Sequence, residues 1–167
     1  PWTWTNAPEM WDLNMIGVYR VSADLGTVSL LSDDFWFPNG LAFSPDESLI
    51  YLNDTRRAHV RSYELLPNGT LAKHTSKVVA DLSGAEPGAP DGMKVDSAGN
   101  IYCGGAGGLY ILDPNGKKLG RIVHGHPMSS NCAFGGDDLK TVFVTAGGTL
   151  WSFRVNTPGK PVWPQGK

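Results

Sequence analysis

FPNGLAFSPDE, residues Phe37–Glu47, decides how the rest of the chain is read, because it returns in looser form as APDGMKVDSAGN at Ala89–Asn100 and SSNCAFGGDD at Ser129–Asp138. Each copy sets a small oxygen-bearing side chain (Asn39, Asp91, Asn131) just ahead of a short apolar strand. Recurrence of this kind marks radial or linear repetition of one β unit, with a polar group returning at one place in each unit. If the units form a ring, those oxygens converge on its axis, and converging Asn and Asp oxygens suit a hard cation such as calcium. Asn39 and Asp91 are 52 residues apart and Asp91 and Asn131 are 40 apart. Propeller blades of four strands run to roughly 40–50 residues, so the period fits loosely.

Working outward, Gly17–Val21, Leu49–Leu52, Val60–Leu65, Ile101–Cys103, Leu109–Leu112, Thr141–Thr145 and Leu150–Val155 are short, β-branched or aromatic, and bounded by turn residues, which predicts strands. In the last of these Trp151, Phe153 and Val155 alternate with Ser152 and Arg154, the period of a half-buried strand. Pro67-Asn68-Gly69 and Pro114-Asn115-Gly116 each sit between two such runs and read as hairpin turns. Ala7–Met15 is the one weak helical candidate, and the fold class is all-β.

Gly at 21 and Pro at 12 of 167 residues favour many short strands and turns. A net charge of −2 gives no electrostatic case for nucleic acid or anionic membrane, and no apolar run approaches the roughly 20 residues of a membrane helix.

PNGLAFSPDE, then LNDT at Leu52–Thr55, PDGMKVDSAGNIY, NCAFGG and TVFVT resemble, in that order, the SMP-30/gluconolactonase/regucalcin family. The resemblance runs from about Gly17 to Arg154 and implies a six-bladed β-propeller that hydrolyses lactones with calcium or another divalent ion at its axis. In that family a Glu near the N-terminus, an Asn midway, the Asn of PNGL and the Asp of PDGM hold the metal. The last two correspond to Asn39 and Asp91, and the first two have no counterpart. Residues 1–167 are therefore expected to be a partial propeller, about the C-terminal three blades, with the N-terminal half supplied as a companion chain or an omitted segment. The resemblance implies calcium-dependent hydrolysis of sugar or aldonic lactones. Asp91 is the candidate catalytic residue, activating water or attacking directly, as well as a ligand. A related phosphotriesterase or fluorophosphatase, and a non-catalytic interaction propeller, are the alternatives.

On bare sequence Asn39-Gly40 and Asp91-Gly92 read equally as turns, and Asn131 as a residue satisfying backbone groups near the axis. Asp54 and Asp96 read as turn and strand-end residues rather than ligands. The links between units carry Trp36, His124, His126 and Met128, candidates with Asn131 for contact with substrate. His124 and His126 lack a third ligand at zinc spacing. Cys103 and Cys132 are expected to be buried free thiols, a disulfide being the alternative. Asn68-Gly69-Thr70 and Asn53-Asp54-Thr55 are glycosylation sequons, with Asn53 the less accessible. They make an extracellular location the expectation and a cytoplasmic one the alternative.

Overall fold

The computed structural model describes residues 16–161, so the helical candidate at Ala7–Met15 lies outside the described residues. The described residues contain thirteen strands and no helix. They form four antiparallel sheets, each strand hydrogen-bonded to its neighbour in sequence. The first sheet pairs β1 (Val18–Val21) with β2 (Val28–Ser32). The second contains β3 (Pro38–Phe43), β4 (Leu49–Asp54), β5 (His59–Leu65) and β6 (Leu71–Asp81). The third contains β7 (Met93–Val95), β8 (Ile101–Gly105), β9 (Gly108–Leu112) and β10 (Lys118–Ile122). The fourth contains β11 (Asn131–Gly135), β12 (Thr141–Ala146) and β13 (Thr149–Arg154).

The first strands of the last three sheets, β3, β7 and β11, lie side by side. Gly92 N–H donates to the Ser130 carbonyl (3.0 Å), joining the second of these strands to the third. These are successive blades of a β-propeller around a shared inner edge. The loose period has a physical cause: β6 runs to 11 residues, longer than any other strand, and a loop of 82–92 follows it.

Three apolar clusters hold the blades face to face. Leu31 and Phe35 pack on Ile50, Leu52 and Tyr63 between the first two sheets. Tyr51, Val60 and Leu82 meet Met93, Ile101 and Leu112 between the next two. Tyr102 and Leu109 meet Cys132, Val142 and Val144 between the last two. Cys103 and Cys132 are both buried and free. Some apolar side chains are bare by comparison: Leu41 (51% exposed) and Phe43 on the face of the second sheet turned toward the first, and Phe143 and Leu150 (64%) on the fourth. The expected alternation in β13 is met only in part. Phe153 and Val155 pack toward the third sheet, but Trp151 remains exposed. The segment after β13 crosses back beneath the sheets, where Gly159 bridges to Asp96 and Lys160 pairs with Glu47.

Both PNG turns form, Gly69 and Gly116 taking the positive φ (76° and 87°) that glycine tolerates without strain. The buried carboxylates of Asp54 and Asp96 cap turns. Asp54 accepts from the N–H groups of Trp36, Phe37, Arg56 and Arg57, and Asp96 from those of Ala98 and Asn100. One irregularity bears on the site. Pro38 pairs with Asp54 and Leu41 with Leu52, so three steps of β3 match two of β4. Asn39 and Gly40 thus form a β-bulge opposite Asn53.

Candidate functional site

Asn39, Asp91 and Asn131 all lie at the same end of the three inner strands. The bulge leaves Asn39 exposed rather than locked into the ladder, and its Nδ2 donates to Thr55 Oγ1 (3.2 Å). The Asn39 amide stands near enough to the Asp91 carboxylate to favour its charged form. Burial pushes the Asp91 carboxyl above its ordinary pKa, against the opposing pull of the Asn39 amide and the Gly92 N–H.

Two side chains from the LNDT stretch hold this pair together. Asn53 Oδ1 accepts from Gly40 N–H (3.0 Å), while its Nδ2 donates to the Asp91 carbonyl (2.5 Å) and reaches Cys103 Sγ (3.4 Å). Thr55 Oγ1 donates to the Pro90 carbonyl (2.7 Å) and accepts from Asn39. Asn53 and Thr55 therefore clasp the bulge of one blade to the loop entering the next. Gly40 permits the clasp: a Cβ there would collide with the Asp91 carbonyl and the Asn53 amide. Gly92 likewise lies under the Asn131 side chain. Sequence reasoning missed this role for Asn53 and Thr55. The available signal was an asparagine in the otherwise apolar run LIYLN, a buried polar group that needs partners.

Asn53 is also where a sequon expectation fails. Its side chain is fully buried with both amide ends engaged, so it is closed to a glycosyltransferase in the folded chain. Asn68 sits exposed at the β5–β6 turn, its Oδ1 accepting from Thr70.

The link residues divide. Trp36 is 65% exposed, with the Arg57 guanidinium 5.3 Å from its ring centroid. His126 is exposed and turns its ring onto Gly147, its Nδ1 accepting from Met128 N–H (3.2 Å). Met128 is half-buried beside it. Among the described residues no hydrogen bond ties Trp36, His126 or Met128 to Asn39, Asp91 or Asn131. They stand at the same end of the blades but outside the Asn39–Asp91 pair. His124 does not face a ligand at all: it is buried, bonded through Nε2 to Ser129 Oγ (2.7 Å) and packed near Trp151. The two histidines thus bond to different partners.

Asn131 Oδ1 is committed to Cys132 N–H (2.9 Å) and Lys94 Nζ (3.4 Å). With its oxygen turned to these groups, the side chain presents its NH₂ as a donor. Asn39 and Asp91 remain as the oxygen donors, a neutral amide beside a carboxylate, which fits a hard divalent cation in kind. Among the described residues no cluster of three His, Cys, Asp or Glu completes a coordination shell.

The model of the SMP-30/gluconolactonase/LRE-like region matches residues 4–148. A gluconolactonase of Zymomonas mobilis is 36% identical over 170 residues, covering 95% of this chain and 46% of that protein. A lactonohydrolase, oryH, of Aspergillus oryzae is 28% identical, covering 94% and 37%. The solved structure of XC5397 from Xanthomonas campestris, a gluconolactonase, superimposes with a TM-score of 0.74 at 31% identity, covering 88% of this chain and 46% of that one. The chain spans about half the length of these relatives or less. With PNGL and PDGM presenting Asn39 and Asp91 from neighbouring inner strands, and a family model that matches most of its length, the chain belongs to the SMP-30/gluconolactonase/LRE-like family.

Proposed function

We propose that this chain carries part of the site of a sugar-lactone hydrolase that works with a divalent cation, calcium by the chemistry of its donors. The observation that carries the proposal is the Asn39–Asp91 pair, an amide and a partly buried carboxylate brought to the ends of adjacent inner strands by the Asn53 and Thr55 clasp. The relatives named as gluconolactonase and lactonohydrolase support the substrate class.

Asn39 Oδ1 and an Asp91 carboxylate oxygen would hold the cation, which when bound supplies Lewis-acid polarisation of the lactone carbonyl. Asp91, its proton affinity raised by burial, accepts a proton from the attacking water. Water adds to the carbonyl carbon, the ring C–O bond breaks, and the departing oxygen takes up a proton to give the hydroxy acid. Asn131 offers its NH₂ to substrate oxygens, while Asn53 and Thr55 keep the Asn39–Asp91 separation fixed. The remaining ligands belong to the N-terminal half of the propeller, which would cover the bare face at Leu41 and Phe43 and the one at Phe143 and Leu150. Secretion accompanies this proposal, with Asn68 as the glycan acceptor.

The test is pH-stat hydrolysis of a panel of aldonolactones by the whole protein as isolated, after EDTA, and after calcium is restored, with a phosphotriester run alongside. Turnover of lactone lost to EDTA and regained with calcium supports the proposal. Turnover of the phosphotriester alone, or none under any condition, overturns it.

A further inference from the structure

Lys94 lies on β7, three residues beyond Asp91, and its side chain reaches toward β11. Its Nζ touches two oxygens, the Met93 carbonyl (3.0 Å) and Asn131 Oδ1 (3.4 Å), both neutral. Among the described residues no carboxylate lies within 4.0 Å of Lys94. Lys94 borders two open hollows of about 290 and 260 Å³, the first shared with Asn131, Thr145, Phe143 and Leu150, the second with Leu41 and Phe43, and the N-terminal half would close both around it. An ammonium whose contacts are all neutral oxygens leaves its charge open to an anion.

The orientation of Asn131 sharpens this. With its oxygen turned to Lys94 and Cys132 N–H, its NH₂ stands free, so the ammonium and the amide present only donors to the cavity. Two adjacent donors, one charged, match the two oxygens of a carboxylate. We propose that Lys94 and Asn131 form an anion subsite that recognises the carboxylate of a sugar acid, either the hydroxy acid released by lactone opening or an acidic substituent carried by the substrate. The proposal deepens the lactonase reading and rests on it for the identity of the ligand. A neutral lactone gains little at this subsite, whereas the opened acid gains a charge-assisted contact, so it acts on product retention and on discrimination for acidic sugars.

The experiment is calorimetric titration of sodium gluconate, and of sorbitol as its uncharged counterpart, into the EDTA-treated whole protein, so that no metal mediates the contact. Wild type is compared with Lys94→Met, Lys94→Gln and Lys94→Arg, with circular dichroism to confirm folding. The expected result is gluconate binding weakened about tenfold or more by Met and Gln, the range of a charge-assisted hydrogen bond. Arg should largely restore it, and sorbitol binding should be the same in all four. Equal gluconate affinity in wild type and Lys94→Gln, or gluconate binding no tighter than sorbitol in wild type, overturns the subsite. Because the readout is binding without turnover, a Lys94-dependent gluconate site in a protein that opens no lactone would sink the lactonase reading and leave the subsite standing.

Discussion

Asn53 Nδ2 donates to the backbone carbonyl of Asp91 at 2.5 Å, across a blade boundary and 38 residues of sequence. One buried side chain thereby sets where the Asp91 carboxylate stands relative to the Asn39 amide, since its other end holds Gly40 N–H. Replacing Asn53 by Ala strands a buried donor and a buried acceptor, each worth about 1–3 kcal/mol when left unpaired. Asn53→Ala should therefore lose about 2–4 kcal/mol in urea unfolding, and calcium affinity should fall with it. An unfolding midpoint equal to wild type would remove the clasp from the account.

The two glycines of PNG and PDG should respond differently to an added methyl group. At Gly40 the new Cβ meets the Asp91 backbone carbonyl, which cannot swing away, whereas at Gly92 it meets the Asn131 side chain, which can. Gly40→Ala should cost about 1–3 kcal/mol through forced backbone movement, and Gly92→Ala distinctly less. The comparison needs only thermal melts of the two variants, and the reverse order contradicts the geometry.

Asp91→Asn keeps the shape of the side chain while removing its charge and its proton-accepting role. Lactone turnover should drop at least about a thousandfold, more than the 10²–10⁴ of general-base loss alone would require at its low end. The fold should persist, because the Asn53 contact is to the Asp91 backbone. Single-turnover rates beside circular dichroism check both halves.

How much of this was legible beforehand depends on whether a residue's partner lies near it in sequence. The PNG turns at Asn68 and Asn115, the capping roles of Asp54 and Asp96, and the buried thiols follow from local chemistry, and all three appear as expected. Asn39 and Asp91 emerged from the repeat and the family resemblance rather than from their immediate neighbours. The clasp escaped notice because Asn53 declares a need for partners without saying which strand supplies them, and its sequon offered a simpler explanation. His124 was misjudged for a related reason: a link residue can face the channel or the blade, and Ser129 decides that only in three dimensions.

Alkaline stability offers a test of the core between blades. Burial pushes the Cys103 thiol up to about 12 and the Cys132 thiol to about 11, from an ordinary 9.0. Burial, then the charge of Asp96, raises the Tyr102 phenol to about 12 from 10.0. All three are harder to ionise folded than unfolded. Their contribution is whole below about pH 9 and is lost progressively as pH rises through the folded values. The urea midpoint should fall steadily from pH 9 upward, and thiol labelling of the native protein should track unfolding. A midpoint that is flat to pH 11 would contradict the burial of these groups.

Expression in a secretory eukaryotic host gives a mass-spectrometric test of the two sequons. One glycan should appear, at Asn68, and none at Asn53 in protein that has folded. Occupancy at Asn53 would mean that modification precedes closure of the second blade.

The extra residue in β3 ties two demands to one point in the chain. A sheet gains from regular pairing, yet an amide locked into regular pairing cannot reach sideways to a neighbour's carboxylate. Deleting one of Asn39 and Gly40 would restore a continuous β3–β4 ladder, and by the same act would withdraw the amide from Asp91. Selection for rigidity and selection for reactivity therefore pull in opposite directions at a single peptide unit. Evolved or engineered variants that gain heat tolerance by straightening this strand should be the ones that go silent.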